Sequence, residues 1–127
     1  MIQSGTYVSV VDNSGAKTAF CIKVLSGFRR RYAQIGDSIM VSIKSLRGKR
    51  RLVSKTKKGE IYKAVVVRTK VTKNRFSGDS VHFFENSIIL LSKQNKFIGT
   101  RVFGAVPRSF RYTKFLKVAS LATGLVS

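Results

Sequence analysis

The side chains that most often perform catalysis or bind metals are scarce in this chain. His82 is the only histidine and Cys21 is the only cysteine. The five acidic residues are spread along the sequence, at Asp12, Asp37, Glu60, Asp79 and Glu85. This inventory provides neither a catalytic triad nor a cluster of metal ligands, and no GxxxxGK[ST] or GxGxxG phosphate-binding motif occurs. We therefore expect no catalytic residue, no metal site and no cofactor.

Positive charge is the chemistry that this sequence does provide. Twenty-five lysines and arginines against five acids give a net charge of +20 over 127 residues. The stretch from Lys44 to Arg75 carries thirteen basic residues and one acid, Glu60, which predicts a cationic patch. Neither a basic amphipathic helix nor a lipidation signal is visible, and the apolar runs are far shorter than the ~20 residues that span a bilayer. A nucleic acid, bound mainly through its phosphates, is the expected partner.

The densest charge lies in residues 47–59, which have too few apolar side chains to pack into a core. We expect a basic hairpin at about 46–60 that projects from the domain, although a plain solvated loop is the alternative. Its predicted RNA-binding residues are Arg47, Lys49, Arg50, Arg51, Lys55, Lys57 and Lys58. The rest of the predicted patch consists of Lys44, Arg68, Lys70, Lys73 and Arg75.

A second cluster, "FRRRY" at residues 28–32, places Arg29, Arg30 and Arg31 between Phe28 and Tyr32. Aromatic rings next to arginines are typical of sites that stack unpaired bases. They are equally typical of loops that anchor themselves to a core, and the sequence leaves both readings open.

Alternating apolar residues and turn signals predict a mainly β domain up to about residue 92. The predicted strands lie in "TYVSVV", "AKTAFCIKVL", "DSIMVSIKSL", "EIYKAVVVRTK", "SVHFF" and "SIILLSK". Ile39, Val41 and Ile43 form one apolar face, and we expect Phe20, Ile22 and Val24 to form another. Cys21 is expected to be a small core residue. Five or more strands with short connections favour a closed barrel or a sandwich, in one domain of residues 1–127.

The sequence after Pro107 changes to a helical spacing of apolar residues. Phe115 and Val118, followed by Leu121 or Ala122, predict one or two short helices within about 107–123 that cover part of the sheet.

Three consecutive valines in "YKAVVVRTK" (residues 62–70) predict a strand that is buried on both faces. We expect Val65 and Val67 to point into the core and Val66 to lie under a second element. On this assignment Arg68 and Lys70 share the outward side of Val66 and are free to contact RNA.

Several stretches resemble the universal large-subunit ribosomal protein L-fourteen family over nearly the whole chain. They are "VVDNSGAK" (10–17), "CIKVL" (21–25), "RRYAQIGDSI" (30–39), "KKGEIYKAVVVRTK" (57–70), "IGTRVFGAV" (98–106) and "KFLKVASLA" (114–122). The most diagnostic set is Ala64, Val65 to Val67, Ser77, Gly78, Phe83, Asn86, Ile89 and Leu90.

The resemblance implies a closed five-stranded β-barrel with a projecting β-ribbon and a small helical C-terminal part. It implies binding to large-subunit rRNA, contacts with neighbouring ribosomal proteins, and contact with small-subunit rRNA in an intersubunit bridge. It also implies a docking surface for a ribosome-silencing factor, and the matching positions are Thr100, Arg101, Lys114 and Lys117. The chain has "AVPRSF" where the family places a proline directly after "FG" and an acid in the next helix, which weakens this last implication.

Composition adds an expectation about where the protein works. Rich use of Phe, Ile, Lys and Ser, with one Pro and no Trp, is typical of an AT-rich genome. Because the sequence starts with a strand-like alternation, we expect no signal peptide or transit segment in it, so the protein is either made where it works or represented in its processed form. Together these features favour an organelle-encoded member in a mitochondrial ribosome over a plastid or bacterial one.

Two other functions stay open at the level of sequence. The first is a free nucleic-acid-binding barrel, such as a single-strand binder or RNA chaperone. The second is an enzyme that acts on nucleic acid, which would need carboxylates converging on a metal ion.

Overall fold

A computed structural model describes residues 1–48, 55–74 and 77–126 of the chain. The strands are β1 (Ile2–Gln3), β2 (Tyr7–Val10), β3 (Ala16–Val24), β4 (Tyr32–Ala33), β5 (Ser38–Leu46), β6 (Ile61–Arg68), β7 (Lys73–Asn74), β8 (Ser80–Val81), β9 (Ser87–Leu91), β10 (Val102–Pro107) and β11 (Ala122–Val126). A 3₁₀ helix spans Arg108–Tyr112, and one α-helix, α1, spans Leu116–Leu121.

Five of these strands close into a barrel in the order β2-β3-β5-β6-β9, which confirms the predicted architecture. Neighbouring strands are antiparallel except β2 and β9, which pair in parallel and complete the ring. Closure leaves no unpaired sheet edge in the barrel. Among the described residues, no helix is long and apolar enough to cross a bilayer.

The barrel interior is filled by small and branched side chains from alternate strand positions. Ile39, Val41 and Ile43 of β5 all point inward and are fully buried, as their alternation predicts. The thiol of Cys21 is also buried in this core, and burial raises its pKa.

The prediction that Phe20, Ile22 and Val24 form the apolar face of β3 is wrong. Ala19 and Cys21 point into the barrel, whereas Ile22 is 39% exposed on the outside. A register shift between Cys21 and Lys23 then returns Val24 to the core. The bulge changes the side-chain phase within one strand, so a strict period of two assigns the wrong face.

A second apolar layer covers the outside of β6 and β9. It contains Val106 of β10, Phe110 of the 3₁₀ helix and Val118 of α1, which pack against outward residues such as Val65 and Ile89. The C-terminal elements therefore cover the barrel as predicted. One feature was missed: after α1 the chain forms β11, which pairs in parallel with β10.

The predicted faces of the three valines are reversed. Val66 lies in the barrel core with Ile88, while Val65 and Val67 lie under the C-terminal layer. Both faces of β6 are apolar and buried, so hydrophobicity alone does not indicate which of its side chains point into the barrel. Pairing decides it instead, because Val66 lies opposite Ile88 in the register with β9.

Candidate nucleic-acid interface

The loop at residues 28–31 carries the first group of predicted RNA-binding residues. It connects the end of β3 to β4, and Arg29, Arg30 and Arg31 are all exposed. Arg30 forms an ion pair of 3.2 Å with Asp37, whose Oδ2 also accepts the Gln34 amide at 2.7 Å. This pairing fixes the loop to the turn before β5 and leaves Arg29 and Arg31 for an external anion.

Lys70 and Lys73 lie at the same end of the barrel. β6 runs antiparallel to β5, and Val65 pairs with Ser38, so the chain leaves β6 beside the start of β5. Lys70 and Lys73 are exposed there, and Lys73 begins a small ribbon in which β7 pairs with β8. The predicted site residue Arg75 lies outside the described residues.

The described residues of the basic segment that follows β5, at 47–48 and 55–59, lie at the opposite end of the barrel. The first residue of the segment, Arg47, donates from its amide to the Gly15 carbonyl at 2.9 Å and from Nη2 to the Val10 carbonyl at 3.1 Å. Its guanidinium also lies over the Phe103 ring, 5.3 Å from the centroid. Arg47 is therefore partly occupied by the protein itself while its side chain stays exposed.

Lys55, where the chain comes back toward the barrel, is bound next to Arg47 at the turn of residues 12–15. The Lys55 amide donates to the Ser14 carbonyl at 3.0 Å, and Lys55 Nζ reaches the Ile98 carbonyl at 3.3 Å. Thr56 is buried at the foot of the segment, and Lys57 and Lys58 are exposed beyond it. The predicted site residues Lys49, Arg50 and Arg51, and with them the middle of the predicted ribbon, lie outside the described residues.

Apart from Lys44 and Arg68, the described members of the predicted RNA-binding set fall into two groups at opposite ends of β5. This nine-residue strand spans about 26 Å at about 3.3 Å per residue. We call Arg29, Arg31, Lys70 and Lys73 the loop end, and Arg47, Lys55, Lys57 and Lys58 the segment end.

An exposed strip of barrel wall connects these two ends. Tyr7 of β2 is 66% exposed and contacts the Phe20 ring of β3 edge to face, with centroids 5.2 Å apart. Lys44 of β5 lies over the Phe20 ring, with its Nζ 5.4 Å from the ring centroid. Lys44 is thus a predicted site residue that lies between the two ends. The C-terminal layer covers β6 and β9, so the wall formed by β2, β3 and β5 is left open.

Arg68 does not belong to this exposed surface. It is 8% exposed, and its Nε donates to the Ala105 carbonyl at 2.7 Å. Nη1 pairs with Glu85 at 2.9 Å, and Nη2 donates to the Phe103 carbonyl. The prediction that Arg68 faces outward is wrong, because β10 supplies carbonyl groups that bind the guanidinium inside the fold.

The turn at residues 12–15 organises the segment end, a role that the sequence did not reveal. Asp12 is buried, and its two carboxylate oxygens accept the amides of Ser14 at 3.1 Å and Leu90 at 3.0 Å. Asn13 Oδ1 accepts the amides of Thr100 at 2.6 Å and Arg101 at 3.1 Å. The Asx-turn pattern in "DNSG" was a signal for the turn, but not for its partners 87 and 88 residues away.

The predicted protein-partner residues are all exposed and lie on or next to the C-terminal layer. Thr100 and Arg101 precede β10, and Asn13 Nδ2 also donates to Thr100 Oγ1 at 2.8 Å. Lys114 precedes α1 with its Nζ 5.1 Å from the Phe115 ring centroid. Lys117 lines a groove of about 630 Å³ together with Arg111 and Leu116.

The acids and other titratable groups do not converge on a reaction centre. Within the described ranges, no three His, Cys, Asp or Glu residues lie close enough together to hold a metal ion. Glu60 accepts the Tyr62 hydroxyl, and burial together with this carboxylate raises the pKa of Tyr62 to about 12. Glu85 is occupied by Arg68 and by Ser87 Oγ at 2.9 Å.

Comparison with models of known protein families identifies a match over nearly the whole chain. The family model described as ribosomal protein L14p/L23e matches residues 1–126.

Proposed function

The chain belongs to the ribosomal protein L14p/L23e family, a family of structural proteins of the large ribosomal subunit, and we propose that it binds rRNA along its open barrel wall. The observation that carries this proposal is the distribution of exposed charge. Cationic side chains at the loop end and the segment end flank the strip of Tyr7, Phe20 and Lys44. An RNA backbone that follows the wall would meet positive charge at both ends and aromatic rings between them.

Charge and geometry favour recognition through phosphates. Arginine and lysine on exposed loops bind phosphate oxygens without reading base identity. No acid lies on β2, β3 or β5, the strands of the open wall. Asp37, just before β5, pairs with Arg30, and the exposed Glu60 at the segment end accepts the Tyr62 hydroxyl. The barrel thus serves as a scaffold that joins RNA segments at its two ends.

Sedimentation tests this assignment. The tagged protein expressed in its own cell should travel with large subunits in a sucrose gradient at low magnesium, where the two subunits separate. Travel with small subunits, or with no ribosomal particle, would contradict it. The second of these outcomes would favour the free nucleic-acid-binding barrel instead.

We further propose that the exposed residues of the C-terminal layer bind proteins. The two cationic groups, Thr100 with Arg101 and Lys114 with Lys117, are the proposed docking surface for a ribosome-silencing factor. Support comes from their exposure, from the Asn13 contacts that hold Thr100 in place, and from the groove beside Lys117.

A binding assay with a purified silencing factor tests this docking surface. Arg101→Glu with Lys117→Glu should abolish the interaction by reversing charge at both groups. The variant Arg29→Glu with Arg31→Glu, which makes the same charge change on the loop between β3 and β4, should bind normally. Equal binding by both variants would refute the proposed surface.

We also propose contacts with neighbouring large-subunit proteins, contact with small-subunit rRNA in an intersubunit bridge, and a place in a mitochondrial ribosome. The resemblance to the family supports the contacts. The amino-acid composition of the chain, which is typical of an AT-rich genome, supports the mitochondrial location. A cryo-EM map of ribosomes purified from mitochondria tests all three, because it shows whether the chain is present and what it touches.

A further inference from the structure

Phe28 is exposed to solvent although it is one of the larger apolar residues of the chain. Its side chain is 90% exposed, which excludes the reading in which this ring anchors the loop to the core. Tyr32, at the other side of the three arginines, is half exposed and lies in β4. Phe28 is therefore the ring of this cluster that is free to meet a partner.

The backbone holds Phe28 in a defined position. Gly27 has a φ of +100° and donates from its amide to the Leu25 carbonyl at 3.2 Å, which turns the chain immediately before the ring. Arg29, directly after it, has a φ of +53°, a left-handed conformation that is uncommon outside glycine and often marks functional loops. The ion pair between Arg30 and Asp37 fastens the far side. A ring presented in this way loses little conformational freedom when it binds.

The ring borders a groove with both apolar and cationic walls. The groove has a volume of about 550 Å³, within the range of sites that hold small organic ligands. Ile22 and Val24 of β3 contribute apolar wall, and Arg29 and Arg31 contribute guanidinium groups. The Arg29 guanidinium lies 5.3 Å from the Phe28 centroid, so a cation that can pair with a phosphate stands directly beside the ring.

We propose that this groove binds one unpaired RNA nucleotide, with its base stacked on the Phe28 ring and its phosphate paired with Arg29 or Arg31. The inference rests on the proposed rRNA binding and adds a local feature to it, a preference for unpaired RNA at the loop end. Charge decides between occupants, because an apolar peptide would leave the arginines of the groove without counter-charges. A nucleotide can interact with both walls of the groove, because its flat base can stack on the Phe28 ring and its phosphate can pair with the guanidinium groups.

Tryptophan fluorescence provides a direct test. The chain contains no tryptophan, so Phe28→Trp introduces a single reporter at the proposed stacking position. Phe84→Trp is the matched control, because Phe84 is 92% exposed in the connection between β8 and β9, outside this groove. The probes are a short single-stranded oligoadenylate and an RNA duplex with the same number of phosphates.

The proposal predicts that oligoadenylate quenches the emission of the Phe28→Trp variant and leaves that of the Phe84→Trp variant nearly unchanged. In the wild-type background, Phe28→Ala and Phe28→Leu should each lower the affinity for oligoadenylate by about 5- to 150-fold. This is the range that stacking of a base on one aromatic ring contributes to affinity. Affinity for the duplex should stay within about twofold. Circular dichroism of each variant verifies that the fold is kept, as expected for a side chain without core contacts.

Two results would overturn the proposal, and they differ from failure of rRNA binding. Unquenched emission from bound Phe28→Trp protein shows that no base stacks there, and equal losses on both probes show that Phe28 has no preference for unpaired RNA. In both cases the protein still binds RNA. If the wild-type protein binds neither probe at low salt, RNA binding itself fails and this inference fails with it.

Discussion

Replacement of Arg68 by alanine should destabilise the protein strongly, contrary to what its place in a basic stretch of the sequence suggests. Its guanidinium donates to the carbonyl groups of Phe103 and Ala105 and pairs with Glu85, at a position that is 8% exposed. These bonds connect the end of β6 to β10, so they attach the C-terminal layer to the barrel. We expect Arg68→Ala to loosen that layer as well as to lower global stability.

The magnitude follows from the individual bonds. A hydrogen bond from a charged group contributes about 1.5–3 kcal/mol, so the two carbonyl bonds together contribute about 3–5 kcal/mol after allowance for partial rehydration. The bond to Glu85 adds only about 0–1 kcal/mol, because the Glu85 side chain is 48% exposed and water screens the pair. A domain of this kind has about 5–15 kcal/mol of stability in total. Arg68→Ala should therefore remove about 3–6 kcal/mol, a large part of this total.

Urea unfolding followed by circular dichroism measures this loss. Arg30→Ala is the matched control, because it also removes an arginine from an ion pair, but at a side chain that is 41% exposed, and it should cost at most about 1 kcal/mol. Hydrogen exchange should also accelerate in β10 and β11 of the Arg68 variant. A loss within about 1 kcal/mol of the Arg30 control, with unchanged exchange, would refute this account of Arg68.

Three further predictions test the packing around the site. Gly104→Ala should destabilise by at least about 1–2 kcal/mol in urea unfolding, because φ is +83° and the new Cβ would meet Arg68 Cζ at 2.9 Å; an unchanged midpoint would contradict this. Asn13→Ala should speed exchange of the Thr100 amide and cost about 1 kcal/mol, and unchanged exchange would show that Asn13 does not hold that loop. The pKa of Tyr62 rises from 10.0 to about 12 on folding, so its contribution to stability is complete below pH 10 and is lost as pH rises towards 12. Unfolding at several pH values should show this loss in the wild type and not in Tyr62→Phe.

The sequence predicts the architecture well where one face of a strand is apolar and the other is polar. The alternation in β5 identified Ile39, Val41 and Ile43 as inward residues, and all three are buried in the barrel. The five barrel strands and the short C-terminal helix follow from the same kind of local pattern.

Prediction fails where long-range pairing decides the outcome. The bulge in β3 reverses the phase of its faces, and the valines of β6 carry no contrast between faces at all. β11 is missed because its strand state depends on β10, more than 15 residues earlier in the chain, and not on an alternation of its own. Each of these features becomes visible only when the partner strand is in place.

The candidate site shows the same division. Counting charges identifies the exposed arginines at residues 29–31 and the exposed lysines of the segment end. It cannot separate Arg68 from them, because the carbonyl groups that bury Arg68 belong to a strand 35 and 37 residues away. Nor can it show that closure of the barrel divides one basic stretch of sequence between two ends of the fold.

The salt dependence of rRNA binding tests the central claim most directly. Each lost phosphate contact should reduce the slope of log affinity against log salt by about 0.9. Arg29→Gln with Arg31→Gln at the loop end, and Lys57→Gln with Lys58→Gln at the segment end, should therefore each reduce the slope by about 2. Lys114→Gln with Lys117→Gln removes the same charge on the C-terminal layer, outside both ends, and should leave the slope unchanged. An equal reduction in all three variants would show that RNA responds only to net charge, and it would contradict binding along the open wall between the two ends.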